Sequence, residues 1–348
     1  MRNTAQQVRG FHDAKVALTT TERSDMRKRR DANRERLRKG LDKNGDPKPI
    51  GCHTQGSYAM KTMVQDPNCD YDIDDGVYFK ADELKGAQGA EKSALQVRQM
   101  VCAALQDDKF ATNPEVRKNC VRVYYEAGYH VDVPAYRRRE TKDSWGTVTY
   151  SYELAGSVWM ASDPRAVTKW FDQRNKDLSP DTGDGQFRRT VRLLKAFARS
   201  RDTWKGKNLS GFAITKLASD VFSASDGRDD EALRQTMKSM AFSLQMTQQI
   251  IHPVLQSESL TDNGDTKAIH FRDRLAENLK HLEVLDKVDC THDEAMGAWD
   301  KVFCSEWFSS QPDPDVDGDD DGSGNGGGPG GGSPKSPVKK QGDGRYAE

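Results

Sequence analysis

The chain has 348 residues, of which 53 are lysine or arginine and 54 are aspartate or glutamate, so its net charge is −1 at pH 7. This length is sufficient for two lobes or one large domain with a real core. No apolar run is long enough to span a bilayer, and the first residues lack the apolar stretch of a signal peptide. The six cysteines are scattered without Cys-x-x-Cys pairs, so we expect reduced thiols, a cytoplasmic protein and no membrane partner.

The charge is unevenly distributed along the chain. Residues 312–348 contain eight acidic and four basic side chains, which gives this tail a net charge of −4 and leaves +3 on the rest. A mildly basic body suits polyphosphate ligands and does not require nucleic acid. The tail is dominated by Asp, Gly, Pro and Ser, so it is predicted to be disordered and to act as a tether or recognition segment.

Residues 1 to about 40 are predicted to be helical and strongly basic, with nine Arg or Lys between positions 23 and 39. One interpretation is a surface for nucleic acid or phosphate. The other, which we favour, is a solvated helix that packs along a thin apolar stripe of Met26, Leu37 and Leu41.

A small turn and a run of carboxylates follow. The turn Gln55-Gly56-Ser57 offers a hydroxyl and free N–H groups that suit a triphosphate. The stretch from 69 to 80 is predicted to be a strand, in which Asp72 and Asp74 share one face because side chains alternate. Two carboxylates on one face repel unless a cation lies between them, and Mg²⁺ prefers oxygen ligands. An acidic surface loop is the alternative for the carboxylates alone, but the combination with the turn favours a metal and nucleotide site.

A third carboxylate lies further along. Residues 120–125 and 129–134 read as strands, and Asp132 stands between Val131 and Val133. On a strand beside Asp72 and Asp74 it would complete a three-carboxylate cluster able to hold two ions. The alternative for Asp132 alone is an edge-strand residue before a turn at Pro134.

The remaining elements change character along the chain. A helix at 90–106 and a strand at 147–154 precede a helix that starts at Ser162-Asp163-Pro164, and the chain is helical from about residue 185. Strands first and helices later predict the α+β class. We expect a catalytic lobe at 1–180, a helical lobe at 181–311 and the tail at 312–348. The later helices are predicted at 185–202, 210–224, 229–252, 267–288 and 292–308.

The helix from Gln186 carries a basic stripe at helical spacing. Such a stripe usually faces solvent, and the alternative is that one member faces the metal site and its triphosphate. Ser210 opens the next helix with a hydroxyl and free N–H groups that could bind a nucleotide. The stripe consists of Arg188, Arg192, Lys195 and Arg199.

One His/Cys grouping is worth checking for zinc. It comprises His281, Cys290, His292 and Cys304, and its spacing matches no tight ligand pairing.

The motifs Gln55-Gly56-Ser57, Asp72-Ile73-Asp74 and His130-Val131-Asp132-Val133-Pro134 resemble the nucleotidyltransferases of the polymerase-beta superfamily. More narrowly, they are similar to the cGAS/DncV-like nucleotidyltransferases (CD-NTases) of bacterial CBASS anti-phage defence. The resemblance covers roughly residues 10–308. It implies a polymerase-beta-like lobe with a mixed β-sheet, a helical lobe beside it, and an active site in the cleft between them.

The resemblance also implies roles for individual residues. Two Mg²⁺ ions, with Mn²⁺ as a substitute, would be held by Asp72, Asp74 and Asp132, and the donor triphosphate would lie on the turn. Nucleotide binding is assigned to Gln55, Gly56, Ser57, Arg122 on the acceptor side, and Lys195 and Ser210 at phosphates or ribose.

The function implied is synthesis of a cyclic di- or trinucleotide second messenger from ATP, GTP or other NTPs, with a product-activated effector protein as partner. A tail-processing or regulatory partner is a further expectation, although the end Tyr346-Ala347-Glu348 gives no direct match. Two alternatives stay open. One is a linear nucleotidyltransferase that modifies RNA, protein or a small molecule, which the basic N-terminal helix supports. The other is an inactive nucleotide- or RNA-binding scaffold.

Overall fold

A computed structural model describes residues 2–66, 71–86, 88–108, 111–125 and 128–313. Cys69 and nearly all of the tail predicted to be disordered lie outside these residues. In the described part of the chain, no helix is both long and apolar enough to cross a membrane.

The α-helices of the described residues follow local start and stop signals. The long basic helix begins at a capping box, in which Thr19 and Glu22 bond to each other's main chain, and ends at Gly45 in the left-handed conformation. The helix after Ser162 begins as predicted, with the Asp163 carboxylate accepting from Ala166 N. The helices are α1 (Ala5–Phe11), α2 (Thr20–Asn44), α3 (Gly56–Ala59), α4 (Ala94–Ala104), α5 (Pro164–Leu178), α6 (Gln186–Arg199), α7 (Gly211–Val221), α8 (Asp229–Met246), α9 (Thr266–Leu279) and α10 (His292–Phe303).

The predicted helices are present with shorter bounds in several places. The N-terminal helix is divided, because a π-helical turn (His12–Val16) and an extended Ala17 separate α1 from α2. The helix predicted to end at 252 stops at Met246, and the one predicted to reach 288 continues beyond Leu279 only as a 3-10 segment, Lys280–Asp286.

Within the described ranges, the strands form one large mixed sheet and one small hairpin. The mixed sheet confirms the predicted α+β class, with β2 between antiparallel and parallel neighbours: β1 is antiparallel, and β5 and β6 are parallel. The large sheet contains β1 (Gly51–Thr54), β2 (Tyr71–Lys80), β3 (Glu115–Val116), β4 (Val121–Tyr124), β5 (Tyr129–Val133), β6 (Ala135–Lys142), β7 (Val148–Ala155) and β8 (Trp159–Ala161); the hairpin pairs β9 (Ile250–Ile251) with β10 (Ser259–Thr261).

Pro134 interrupts the sheet but does not end it. β5 and β6 pair with β2 at the same register offset, so residues 129–138 run beside β2 as one parallel neighbour with a gap at the proline, which has no N–H to donate. The Pro134 carbonyl still accepts from Val77 N. The alternative of an edge strand before a turn is therefore wrong, because β5 is paired with β2 on one side and β4 on the other.

Two hydrophobic clusters are present in the part of the chain that the structure describes. One packs the sheet against α2 and α4, with Ile73, Phe79 and Val97 fully buried. The other lies among the later helices and includes Phe187 and Trp299, but it also takes Val8 and Phe11 from α1 and Phe171 from α5. The division of the chain at residue 180 stays a prediction, and these contacts place α1 with the later helices.

Candidate active site

The three predicted carboxylates lie on one face of the sheet. Asp74 is directly opposite Asp132 in the parallel pairing of β2 and β5, and Asp72 is two residues before Asp74 on the same face. Asp72 is likewise opposite His130, and β4 pairs antiparallel with the other side of β5. Two neighbouring rows of three side chains therefore cross the three strands. One row is Asp74, Asp132 and Arg122, and the other is Asp72, His130 and Tyr124.

Arg122 is bonded to the third carboxylate. Its Nε and Nη2 donate to the two Asp132 oxygens at 2.8 and 2.9 Å, and its Nη2 lies 3.3 Å from Asp72 Oδ1. Burial, and then the charges of Asp132 and Asp72, raise the pKa of Asp74 well above its usual range. This crowding of carboxylates is the electrostatic condition that a bound cation relieves.

The donor chemistry of this face fits a divalent ion, because carboxylate oxygens are what Mg²⁺ and Mn²⁺ prefer. Over the residues that the structure describes, however, no three His, Cys, Asp or Glu side chains are arranged to coordinate an ion. His281, Cys290, His292 and Cys304 are among these described residues, so they too form no such group. Asp72, Asp74 and Asp132 remain the residues proposed to hold metal.

The Gly-Ser turn lies directly against Asp74. Gln55 N donates to the Asp74 carbonyl at 2.9 Å, and Gly56 has a φ of +63°. A Cβ on Gly56 would lie only 2.3 Å from Asp74 Oδ2, so glycine is required both for its conformation and for this close approach. α3, which starts at Gly56, therefore presents its first N–H groups and Ser57 beside the carboxylates.

Gln55 is buried and has a partner on a neighbouring strand. Its Nε2 donates to Tyr136 Oη at 2.9 Å, and the Tyr136 ring is stacked on Tyr78 with centroids 4.6 Å apart. The side chain thus fixes the start of the turn against β6, and its contact with a nucleotide stays a prediction.

Lys195 lies on the helical side, against Gly211, the residue that follows Ser210. Lys195 Nζ donates to Thr62 Oγ1 at 2.8 Å, and a Cβ on Gly211 would lie 3.3 Å from Lys195 Cε. Ser210 caps α7 by accepting from Ala213 N at 3.1 Å. Burial, and then Arg199 and Arg192, lower the pKa of Lys195 to about 7. Its partners in this arrangement, the hydroxyl and the carbonyl of Thr62, are both neutral.

Thr62 connects these two groups to the turn. Thr62 N donates to the Ser57 carbonyl at 2.8 Å, while Thr62 Oγ1 accepts from Lys195. The structure therefore brings the predicted phosphate-binding residues Gly56, Ser57 and Lys195 to one place.

The basic residues of α6 lie differently from the more usual prediction for such a stripe. The basic stripe of α6 was expected to face solvent, but Arg188, Arg192 and Lys195 are buried and only Arg199 is exposed. Arg188 and Arg192 donate to main-chain carbonyls in a distant segment, which leaves no signal in the sequence. The prediction of a solvent-facing stripe is wrong for these residues.

Asp75 behaves differently from its neighbour Asp74. Strand alternation turns it to the opposite face, where it is buried and accepts from Arg34 of α2 at 2.7 Å and 2.5 Å. The acidic run of β2 therefore serves two purposes, with only alternate residues at the candidate site.

Comparison with known proteins agrees with this arrangement. Residues 51–136, which span the turn, β2 and β5, match the family model described as Cyclic GMP-AMP synthase DncV-like, nucleotidyltransferase domain. A curated relative, Cyclic GMP-AMP synthase of Escherichia albertii, is 24% identical over 233 residues, which is 66% of this chain and 49% of the relative. The match thus spans about half the length of that protein.

Solved structures share the fold. The Vibrio cholerae DncV structure with the linear intermediate 5' pppA(3',5')pG gives a TM-score of 0.67 at 16% identity, covering 86% of this chain and 96% of that one. The 3'-deoxy ATP bound form of Vibrio cholerae DncV gives a TM-score of 0.68 at 17% identity, covering 86% of this chain and 95% of that one. The 3'-deoxy GTP bound form of Escherichia coli DncV gives a TM-score of 0.63 at 16% identity, covering 83% of this chain and 92% of that one.

The chain contains a DncV-like nucleotidyltransferase domain with the fold of its solved relatives. This domain is the one that the three motifs predicted, and the match, the curated relative and the shared fold together support the predicted family, the cGAS/DncV-like nucleotidyltransferases.

Proposed function

We propose that this protein is a nucleotidyltransferase that joins NTPs into a cyclic di- or trinucleotide, in the manner that the names of its relatives indicate. The observation that carries the proposal is the placement of Asp72, Asp74 and Asp132 on one sheet face, in contact with the Gly56 turn. A carboxylate cluster beside a triphosphate-binding turn is the equipment that nucleotidyl transfer needs.

In this proposal the three carboxylates would hold two divalent ions, Mg²⁺ or Mn²⁺. Bound there, the ions would lower the pKa of the attacking hydroxyl and neutralise charge on the leaving pyrophosphate. The N–H groups at Gly56 and Ser57 bind the donor triphosphate, and Lys195 adds a positive charge. The acceptor hydroxyl oxygen forms a bond to the donor α-phosphorus as the bond to pyrophosphate breaks. The same reaction between the free hydroxyl and the triphosphate of the linear product releases a second pyrophosphate and closes the ring.

Arg122 is proposed to act on the acceptor side. Its main chain is on β4, at the end of the carboxylate row, and its guanidinium reaches back to both oxygens of Asp132 and to within 3.3 Å of Asp72 Oδ1. An arginine in this position suits an acceptor phosphate or base edge.

The biological role proposed rests on the family resemblance. A cyclic nucleotide product would activate an effector protein in anti-phage defence, and a partner would process or bind the C-terminal tail. The nucleotides used are ATP, GTP or other NTPs; solved relatives bound to ATP and GTP support this choice.

The test is incubation of the purified chain with all four NTPs and Mg²⁺ or Mn²⁺, followed by phosphatase treatment and mass spectrometry. We expect a phosphatase-resistant product with a cyclic di- or trinucleotide mass. The double variant Asp72→Ala/Asp74→Ala is expected to give none, because removing both carboxylates leaves no pair to hold the ions.

The matched control is Asp75→Asn, which alters the next carboxylate of the same strand on the opposite face. It should lower thermal stability but retain product. A cyclic product from a folded double variant would contradict the assignment. Nucleotides added to supplied RNA or peptide, without a cyclic product, would support the linear transferase instead.

A further inference from the structure

Three buried basic side chains of α6 contact three consecutive main-chain carbonyls of another region. Arg188 Nε donates to the Met60 carbonyl at 3.1 Å, and Arg192 Nε donates to the Lys61 carbonyl at 2.7 Å. Lys195 Nζ is 3.3 Å from the Thr62 carbonyl. The i, i+4, i+7 spacing on one face of the helix therefore matches three successive carbonyls of a turn.

These carbonyls belong to the turn segment, by which we mean residues 56–62. Within it, Met60 N donates to the Gly56 carbonyl and Thr62 N to the Ser57 carbonyl. Lys61 has a φ of +56°, a left-handed conformation that is unfavourable for a lysine. A strained residue persists where its surroundings hold it, and here Arg192 bonds to that residue's carbonyl.

Arg188 and Arg192 are themselves fixed by acidic residues. Arg188 donates to the Asp184 carbonyl at 2.8 Å and to Asp172 Oδ1 at 3.0 Å. Arg192 forms an ion pair with the Asp184 carboxylate. Both side chains are at most 8% exposed, so they form rigid links between α6 and the turn segment.

We infer that Arg188 and Arg192 are positioning residues for the donor nucleotide, holding the turn segment so that Gly56 and Ser57 stand against Asp74. The inference rests on the proposed function, since it concerns the same triphosphate site. Lys195 differs from the two arginines, because they also bond to carboxylates, whereas its partner Thr62 is neutral and can be exchanged for a phosphate.

The geometry leaves little tolerance at the other end of the turn segment. The carboxylate of Asp74 lies so near Gly56 that a single added carbon would overlap it. Loss of an arginine link frees the Met60 or Lys61 carbonyl and allows the turn segment to move. A misplacement of about 1 Å can reduce a rate by about a hundredfold.

The experiment compares Arg192→Gln and Arg188→Gln with Arg189→Gln. Arg189 is the matched control, being a buried arginine of the same helix. It is bonded to Asp229 and Asp181, and none of its hydrogen bonds found among the described residues reaches the turn segment. Each variant is measured for thermal stability, for affinity toward a non-hydrolysable ATP or GTP analogue, and for kcat and KM.

We expect the analogue affinity of Arg192→Gln to fall by about tenfold and its kcat by about tenfold to a hundredfold. Arg189→Gln should stay within about twofold of wild type in both, at a similar loss of thermal stability. A merely structural role would lower stability and the active fraction while leaving the affinity of the folded protein unchanged. Arg192→Lys keeps the charge and one donor, and it replaces the glutamine variant if that variant does not fold. Its analogue affinity and kcat should be below those of wild type, by less than is expected for Arg192→Gln.

The outcomes separate the two proposals. If wild type binds the analogue and the Arg188 and Arg192 variants bind it equally well, the positioning inference is overturned and the proposed function stands. If wild type itself binds neither analogue in the presence of Mn²⁺, the proposed function fails and the inference fails with it.

Discussion

Two basic helices, α2 and α6, have similar charge patterns and different surroundings. On α2 the side chains of Arg27, Lys28 and Arg38 are exposed, and the helix packs through the predicted stripe of Met26, Leu37 and Leu41. On α6 three of the four basic stripe residues are buried, although a solvent-facing stripe was the more usual expectation.

The difference lies in what each helix covers. Lys28 and Arg38 pair with carboxylates of their own helix, Asp25 and Glu35, in solvent, where such pairs contribute little. The buried basic residues of α6 instead bond to main-chain carbonyls of the turn segment, and the two arginines also bond to Asp172 and Asp184. Hydrogen bonds that involve a charged group contribute about 1.5–3 kcal/mol. A stripe of charge on a helix therefore indicates exposure only when nothing polar lies opposite it.

The pKa of Lys195 predicts a pH dependence that distinguishes a buried basic residue of α6 from the exposed ones of α2. Burial lowers the pKa to about 7, and a triphosphate binds the charged form, so binding takes up a proton above that pH. We expect the Kd of wild type for an NTP analogue to rise by up to about tenfold per pH unit between about pH 7.5 and 9.5. The nucleotide phosphates are already ionised in this range.

Lys195→Met is the control, because its side chain is neutral at every pH. It should bind the analogue as weakly as wild type does at high pH, with no slope from the lysine. A slope that persists unchanged in this variant would show that Lys195 does not bind the triphosphate.

Much of the candidate site was predictable from local pattern. Strand alternation was enough to place Asp72 and Asp74 on one face, and the Val-flanked Asp132 signalled a second strand. The register that sets Asp74 opposite Asp132 depends on how two distant strands align, and the sequence contains no local record of it. Helix starts were similarly readable at Asp163, where capping chemistry is local.

The remainder depended on long-range contacts. Arg192 donates to a carbonyl about 130 positions away, and any residue type would offer that carbonyl. Pro134 read as the end of a strand, yet the strand resumes because only one N–H is missing and β2 supplies the partner on both sides of it. Val8 and Phe11 joined the helical cluster because α1 is separated from α2, which a continuous helix prediction could not express.

Arg34 is the residue of α2 that most resembles the arginines of α6. Its bidentate contact with Asp75, which is only 4% exposed, joins the helix to the sheet. We expect Arg34→Gln to lower the free energy of unfolding by roughly 3 kcal/mol, because a buried carboxylate loses its partner. Urea denaturation with a parallel Arg38→Gln variant checks this. The exposed pair of Arg38 should contribute less than about 0.5 kcal/mol. An equal loss of stability in both variants would mean that the buried and the exposed ion pairs of α2 contribute alike.

The smallest effect is expected for the exposed charges of α2. The double variant Arg27→Ala/Lys28→Ala should change the free energy of unfolding by less than about 0.5 kcal/mol, since Lys28 is 75% exposed and its contact with Asp25 is long. The same variant tests the nucleic-acid interpretation of this helix. Binding of a single-stranded RNA measured at two salt concentrations should be equally weak in both proteins, whereas a clear loss of affinity with a shallower salt dependence would mean that these charges contact phosphates. In that case α2, like α6, would owe its basic residues to a polar partner, and the linear transferase that modifies RNA would become the stronger proposal.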